Sequence, residues 1–564
     1  MFEHGTSRVA VVGAVAAAVS CLLLASAGAA AASAPAATFA VGGGRLLQEQ
    51  RRHGHTLRAA AGSFPDYLDP QLSYTLDGWT AMYDTYVPLL TYRHANGKAG
   101  SEVIPGLART LPEITDGGRT YTLYLRRGLR YSSGQTVRAS DFKFAVERMF
   151  RLNSGGYPFY TDIVGAKRFQ KTKRGGVGGI VTDDRTSKIV IHLVKPRGTF
   201  SNELALMFVV PLPPGTPNRD MSADPAPGTG PYAIARSQPG RGWEYERNPY
   251  WLRNNAKLMP DIPGGHVGRI EVTVIRNGAT QVRGVERGRF DWIFSRPLID
   301  PFAELKNKDA GTQFRVEPML NTYYFWMNTS KPPFDDLEVR QAVNYAVDSS
   351  VLRKIYAEQL APSQQILPAG MPGYEKFELY PHDMAKAKRM IAEANPSDRN
   401  ITVWAAGEAP NYEASVYYRK LLQRLGFKAE LKTLGIYGYF TVIGSASTPD
   451  LDTGWGNWFE DYPHPNDFFQ PLLAAESILP TNNTNWSRIA DPVLSGKIRR
   501  LGAEPLGLEQ EAGYATLDRE YMEQAPWAPY GTLTAPIFVS DAIDLDKVIF
   551  NPTFGQDLTS FRFK

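Results

Sequence analysis

Residues Gly454 to Phe469 read GWGNWFEDYPHPNDFF. Two indoles, Trp455 and Trp458, stand just ahead of the adjacent acids Glu460 and Asp461, and Pro463 and Pro465 stiffen the exit. A carboxylate removed from water is costly unless a partner cation meets it, and an indole face also attracts cations. The run therefore suits a pocket that receives a cation carried on an otherwise apolar ligand. The competing reading is a surface loop whose rings pack on their own domain. If the segment is extended, successive side chains point to opposite faces, so only one of the two acids enters a pocket.

The same adjacency argues against a glycosidase, whose two carboxylates must flank one bond. No G-x-S-x-G, H-E-x-x-H or P-loop pattern occurs in the chain. His464 with Asp461 and Asp467 offers metal donors, but one histidine among prolines is a thin set, and His53 and His55 fall in a polar stretch near the start. No catalytic residue, metal site or cofactor is expected. A secreted hydrolase is the rival from another class.

The elements that must position this run belong to a chain of 564 residues, too long for one hydrophobic core. Lys and Arg number 62 against 57 Asp and Glu, with no basic block, so nucleic acid is not an expected partner. Residues 1–34 read as a secretory signal peptide: Arg8, then no charge from Val9 to Val41, with the cleavage pattern Ala32-Ser33-Ala34. An uncleaved anchor is the alternative, since the apolar run could span a bilayer. Cys21 is the only cysteine, which excludes an internal disulfide. It sits in a poor lipidation context, so a lipid anchor is the minor reading. Residues 35–56 read as a tether.

Beyond the tether, strand and helix patterns alternate. TLRAAAG, KIVIHLV and TYYFWMNTS read as strands, and SDFKFAVERMF as a helix with Phe142, Val146 and Met149 on one side. RIEVTVIRNGATQVRGVERGRFDWIF reads as strand, helix, strand. NITVWAA, YEASVYYRKLLQRLG and KAELKTL form a β-α-β unit. DDLEVRQAVNYAVDSSVLRKIYAEQL is the best helix in the chain, capped by Asp335 or Asp336, with an Asp336–Arg340 pair at i,i+4. Pattern alone gives a mixed α/β class.

Five stretches, taken in order, resemble one family. They are YTLYLRRGLRYSSGQTVRASDFKFAVERM (Tyr121 to Met149), GTGPY (Gly228 to Tyr232), RNPYW (Arg247 to Trp251), NTSKPPFDDLEVRQAVNYAVD (Asn328 to Asp348) and GWGNWFEDYPHP (Gly454 to Pro465). Together they are similar to the extracytoplasmic solute-binding proteins of ABC importers, in the family 5 group of peptide, nickel and related binders. Two positions depart from the pattern. Ser133 stands where the family often has Asp, and Arg138 stands at a helix cap where Thr is usual; an arginine cannot accept from the free amides, which costs about 1 kcal/mol unless another group caps.

The resemblance implies an α/β, two-lobe fold of the periplasmic-binding-protein kind (type II), with an extra inserted domain in lobe one and a hinge of two crossing segments. The implied divisions are 57–320 for lobe one, with the insert at about 76–208, 321–531 for lobe two, and 532–564 for the return to lobe one. Ligand would sit between the lobes, and closure would bury it. In peptide-binding relatives an aspartate of the matching segment pairs with the ligand's ammonium group; that position is Asp461 here. Trp455 and Trp458 would wall the site. Tyr74, Asp77 and Trp79, in the loop after the first strand, would face the cleft, and Asn321 and Tyr323 would lie at the hinge. The implied function is an exported, non-enzymatic binding component, periplasmic or on the outer face of the cytoplasmic membrane. It would capture peptides for an ABC permease with its cytoplasmic ATPase. An oligosaccharide-binding importer component is the alternative; a peptide needs a buried acid for its amine and a neutral glycan does not.

Overall fold

The computed structural model describes residues 56–294, 302–505 and 507–564. The signal-peptide, tether and Cys21 readings lie outside the described residues, apart from Thr56. Among the described residues no helix is long and apolar enough to cross a membrane.

Two large hydrophobic cores organise the body. The first gathers Leu57, Trp79, Phe142, Phe208, Trp243 and Ile270, and it also takes in Ile537, Ile543 and Phe561 from the C-terminal segment. A five-stranded sheet runs through it in the order Trp292–Ile293, Thr56–Ala61, Arg269–Val274, Gly242–Arg247, Tyr232–Gln238. Thr56–Ala61 pairs in parallel with both of its neighbours, as strands joined by distant crossovers do. A separate antiparallel sheet, in the order Glu113–Thr115, Thr120–Tyr124, Lys188–His192, Ile180–Asp183, packs with the helix Ala139–Arg151. That helix buries Phe142, Val146 and Met149 together, as its spacing requires.

The second core spans Leu320 to Tyr530. Its sheet contains the β-α-β unit Asn400–Ala406, Asn411–Arg424, Lys428–Leu434, with the two strands parallel. The 12-residue strand Trp527–Phe538 joins the two cores. Its first half pairs with Asn321–Met327 and its second half with Phe314–Pro318. Trp527 and Tyr530 lie in the second core, and Ala535 and Ile537 in the first. Two antiparallel segments therefore cross between the cores, near 318–321 and 531–535. The architecture is the two-lobe, type II binding-protein fold, with a hinge of two crossing segments.

Two motifs acquire a physical reason. In GTGPY, a Cβ on Gly230 would fall 2.4 Å from the carbonyl oxygen of Asp84, so only glycine lets this turn lie on that backbone. Asn248 of RNPYW then donates to the Gly230 carbonyl at 2.8 Å. The Arg138 departure is offset from two sides. Asp141 accepts the Arg138 N–H at 2.9 Å, and Asp184 accepts the Ser140 N–H at 2.8 Å.

Two expectations need correction. The long helix is two, Leu337–Ala346 and Ser349–Ile355, because Val347 turns extended and Asp348 caps the second by accepting from the Ser350 N–H. Arg340 does not pair with Asp336. It is buried, and its guanidinium donates to the carbonyls of Gln524, Phe334 and Asp335.

The loop that carries Tyr74 is fixed by an internal ion pair. Arg148 and Asp69 are both fully buried, and their forked contact has N–O distances of 2.9 and 2.5 Å. Arg148 also donates to Gln71 Oε1 and to the carbonyls of Pro217 and Arg219, so its donors are matched. Removing one partner of a buried pair strands the other charge, at about 3–5 kcal/mol. Arg148→Met should therefore lower the unfolding free energy by that amount in a denaturant titration; a loss within ~0.5 kcal/mol would contradict the arrangement.

Candidate functional site

Strand Thr453–Phe459 carries the first half of the aromatic-acidic run, and helix Asn466–Leu473 the second. The strand lies between Asn321–Met327 and Asn400–Ala406 in the second lobe's sheet. Gly456 is required there, since a Cβ would meet the Tyr324 ring at 2.9 Å and the Trp486 ring at 3.0 Å.

After the strand the chain turns sharply. Asp467, in the first turn of the helix, accepts the Asp461 backbone N–H at 2.7 Å and the Trp458 indole N–H at 3.3 Å. This pins the turn and sets Asp461 inward, only 7% exposed, while its neighbour Glu460 is half-buried. Among the described residues no lysine or arginine forms an ion pair with Asp461 or Asp467. Burial pushes the Asp461 carboxyl up to about 7, opposed by a hydrogen bond from Tyr74. Burial and the nearby Asp461 carboxylate also raise Asp467.

Tyr74 reaches Asp461 from the other lobe. Its loop is organised by Asp66, which accepts from the Ser73 hydroxyl at 2.7 Å, the Tyr74 N–H at 2.6 Å and the Thr75 hydroxyl at 2.7 Å. Thr75 then caps the helix Leu76–Met82. The Tyr74 ring packs edge-on against Phe208 at 5.1 Å and near-parallel to Trp79 at 6.1 Å. Desolvation and the Asp461 carboxylate both raise the Tyr74 pKa, so its hydroxyl stays protonated and donates.

Other contacts join the lobes around this bond. Tyr462 of the second lobe enters the first core and meets Phe159 edge-on at 6.2 Å. The Gly198 N–H donates to the Gly502 carbonyl at 3.0 Å, and Lys98 pairs with Glu511 at 2.8 Å.

The structure thus brings Asp461, Tyr74 and Trp458 together. It places the other expected site residues elsewhere. Trp455 is fully buried inside the second core, its indole donating to the hydroxyls of Tyr530 and Tyr356, so it is not a pocket wall. Trp79 is buried in the first core, donates to the Ser73 carbonyl at 3.0 Å and supports Tyr74 from behind. Asp77 sits in the first turn of its helix, where a negative charge suits the dipole. Asn321 is spent at the hinge: its side chain donates to the Leu533 carbonyl at 2.9 Å and accepts the Leu533 N–H at 2.7 Å, clamping one crossing strand to the other. Tyr323 is buried among Tyr356, Trp455 and Phe459.

His464 does not join the acids as a metal donor. Its Nδ1 accepts the Asn466 N–H at 3.1 Å and its Nε2 faces Gln510 Oε1 at 2.8 Å, so both ring nitrogens are engaged. Burial depresses its pKa to about 4, which keeps it neutral. Sequence reasoning passed over Asp66, Tyr462 and the positioning role of Asp467. For Asp467 a signal existed: an acid six residues after Asp461, just inside a helix start.

The family model for bacterial extracellular solute-binding proteins, family 5, middle region, matches residues 102–478. The chain belongs to that family. Heme-binding protein A of Haemophilus influenzae is 25% identical to this family 5 chain over 510 residues, covering 84% of it and 85% of the relative. The probable di/tripeptide-binding protein 5 of Pseudomonas aeruginosa is 24% identical over 490 residues, covering 82% and 87%. Among solved structures, clavulanic acid biosynthesis oligopeptide binding protein 2 superposes with a TM-score of 0.81 at 24% identity, covering 90% of this chain and 95% of that one. It shares the fold.

A hydrogen bond to an ionised acceptor contributes about 1.5–3 kcal/mol. Tyr74→Phe deletes the one from Tyr74 to Asp461 and leaves the ring in place. In small-angle scattering of the ligand-free protein, the variant should have a larger radius of gyration, as the open-to-closed ratio rises about tenfold or more. An unchanged scattering curve would mean that the Tyr74–Asp461 bond does not hold the lobes together.

Proposed function

We propose that this protein is the extracytoplasmic substrate-binding component of an ABC importer, which captures peptides by their free amino terminus between its two lobes. The observation that carries the peptide reading is the Asp461 carboxylate, buried at the junction of the lobes with no lysine or arginine partner among the described residues. An α-ammonium group supplies the missing charge, and a charge-assisted hydrogen bond in a water-poor cleft is stronger than a surface ion pair. The names of the relatives agree, since they include di/tripeptide and oligopeptide binders. A heme reading finds less support in this segment, because His464 spends both ring nitrogens on protein partners. A glycan reading loses the wall it needs when Trp455 lies inside the core.

We divide the body at the hinge crossings into 57–320, with the inserted part at about 76–208, then 321–531 and the return 532–564. The protein acts outside the cytoplasmic membrane and hands its ligand to permease subunits driven by a cytoplasmic ATPase. It does no chemistry on the ligand, so bound peptide should be recovered unchanged; multiple turnover would overturn this.

Losing one member of a buried charge pair costs about 2–5 kcal/mol. Asp461→Asn keeps the shape and removes the charge, so calorimetry should show at least about tenfold weaker binding of a free-amine peptide. Glu460→Gln should change affinity less. An N-acetylated peptide should bind poorly to the native protein. Equal affinity for the free and acetylated peptides, with no loss in Asp461→Asn, would leave the aspartate structural and favour a neutral ligand such as an oligosaccharide.

The pH dependence has a definite sign. The ammonium binds the ionised carboxylate, and the carboxyl of the free protein sits near 7. Affinity should fall as pH drops below 7, approaching about tenfold per unit. It should also fall above the amine's own pKa of about 7.7–8.0. A flat profile from pH 5 to 7 would contradict the assignment.

A further inference from the structure

A second cluster of buried acids lies inside the first lobe, apart from the site between the lobes. Asp84 follows the helix Leu76–Met82, His94 follows the strand Leu90–Tyr92, and Asp557 comes from the C-terminal segment. Their side chains are 0%, 5% and 0% exposed. His94 Nδ1 lies 2.7 Å from Asp557 Oδ2 and 3.8 Å from Asp84 Oδ1. One donor atom from each residue falls within 4.8 Å of the other two.

Each carboxylate is oriented by its second oxygen. Asp84 Oδ2 accepts the Leu558 N–H at 2.8 Å, and Asp557 Oδ1 accepts the Thr559 N–H at 2.8 Å and the Thr559 hydroxyl. That leaves Asp557 Oδ2 and Asp84 Oδ1 turned toward the imidazole. Asp84 Oδ1 is fully buried and has no hydrogen-bond partner. The backbone beneath it is held by the GTGPY turn, with the Tyr232 N–H donating to the Asp84 carbonyl at 3.1 Å. Tyr83 stacks on the imidazole with ring centroids 4.5 Å apart and closes one side.

Charge and geometry agree on an occupant. Two carboxylates on one imidazole remain one positive charge short even when the imidazole is protonated. Among the described residues, neither acid pairs with a lysine or arginine. One divalent cation with a neutral imidazole balances two carboxylates. Tetrahedral bonds of about 2.0–2.1 Å to nitrogen and oxygen put donor atoms about 3.3 Å apart, and the observed 2.7 and 3.8 Å bracket that spacing. Backbone donors that hold the non-ligating oxygens are the usual outer support of such sites. We propose that Asp84, His94 and Asp557 bind a divalent metal ion of the zinc type, which fastens the C-terminal segment to the first lobe. A nitrogen-plus-oxygen donor set suits zinc better than calcium or magnesium, which take oxygen.

The test uses the untagged full chain. Zinc content by mass spectrometry after exhaustive dialysis should be about one equivalent. A chelator should lower the Tm by several degrees, and added zinc should restore it. Calcium at the same concentration should not. Asp84→Asn and His94→Gln should each weaken zinc binding at least about tenfold. If native protein retains no zinc and its Tm is indifferent to chelator and zinc alike, the proposal fails whether or not the variants fold. Full zinc content in Asp84→Asn would place the metal elsewhere, for instance at His53 and His55, and would equally overturn it.

Discussion

Asp461 and Asp467 are two buried carboxylates within one turn of chain, and among the described residues neither forms an ion pair with a lysine or arginine. Everything around them serves or tolerates that cost. Asp467 accepts two N–H groups and so holds the turn. Asp461 is left with a phenol from the opposite lobe. A neutral donor offsets only part of the desolvation of a charge, so the carboxyl is pushed toward protonation. On the proposed reading, a ligand that brings a cation gains from a penalty the fold has already met.

The frame keeps that penalty in place. The Arg148–Asp69 pair and the Asp66 cluster fix the loop that carries Tyr74, while the sheet of the second lobe fixes the strand leading to Asp461. The two halves of the site therefore belong to separate cores joined through the crossings near 320 and 533. Asn321 couples those crossings by bonding both polar groups of Leu533. A rotation there would separate Tyr74 from Asp461 and draw Tyr462 out of the first core, the kind of hinge motion that exposes and buries a ligand site.

Much of the fold could be read from periodicity. The β-α-β unit at 400–434, the strand Lys188–His192 and the apolar face of the helix Ala139–Arg151 all lie where their patterns put them. The break at Val347 was hidden because the apolar spacing continues across it, and only the capping role of Asp348 marks the restart. Arg340 shows the limit of pairwise rules: an i,i+4 acid was at hand, yet burial drew the guanidinium to backbone carbonyls. At the candidate site, composition singled out the aromatic-acidic segment but not which of its rings the sheet would bury. Trp455 and Trp458 are three residues apart on one strand and so fall on opposite faces, and the sheet's own packing decided that Trp455 goes inward. The cluster of Asp84, His94 and Asp557 could not be read at all, since 463 residues separate its hydrogen-bonded pair.

The central claim is that the ligand's ammonium completes a carboxylate which is otherwise driven toward its neutral form. Proton linkage tests this most directly. Calorimetric titration of a free-amine peptide at pH 6.5, repeated in buffers of different ionisation enthalpy, counts the protons exchanged on binding. At that pH the amine is fully charged, with a pKa of about 7.7–8.0, while the Asp461 carboxyl, near 7, is mostly protonated. Binding should release more than half a proton per peptide. Peptide binding with no proton released would contradict the account, because the carboxylate would then not be the group that the cation meets.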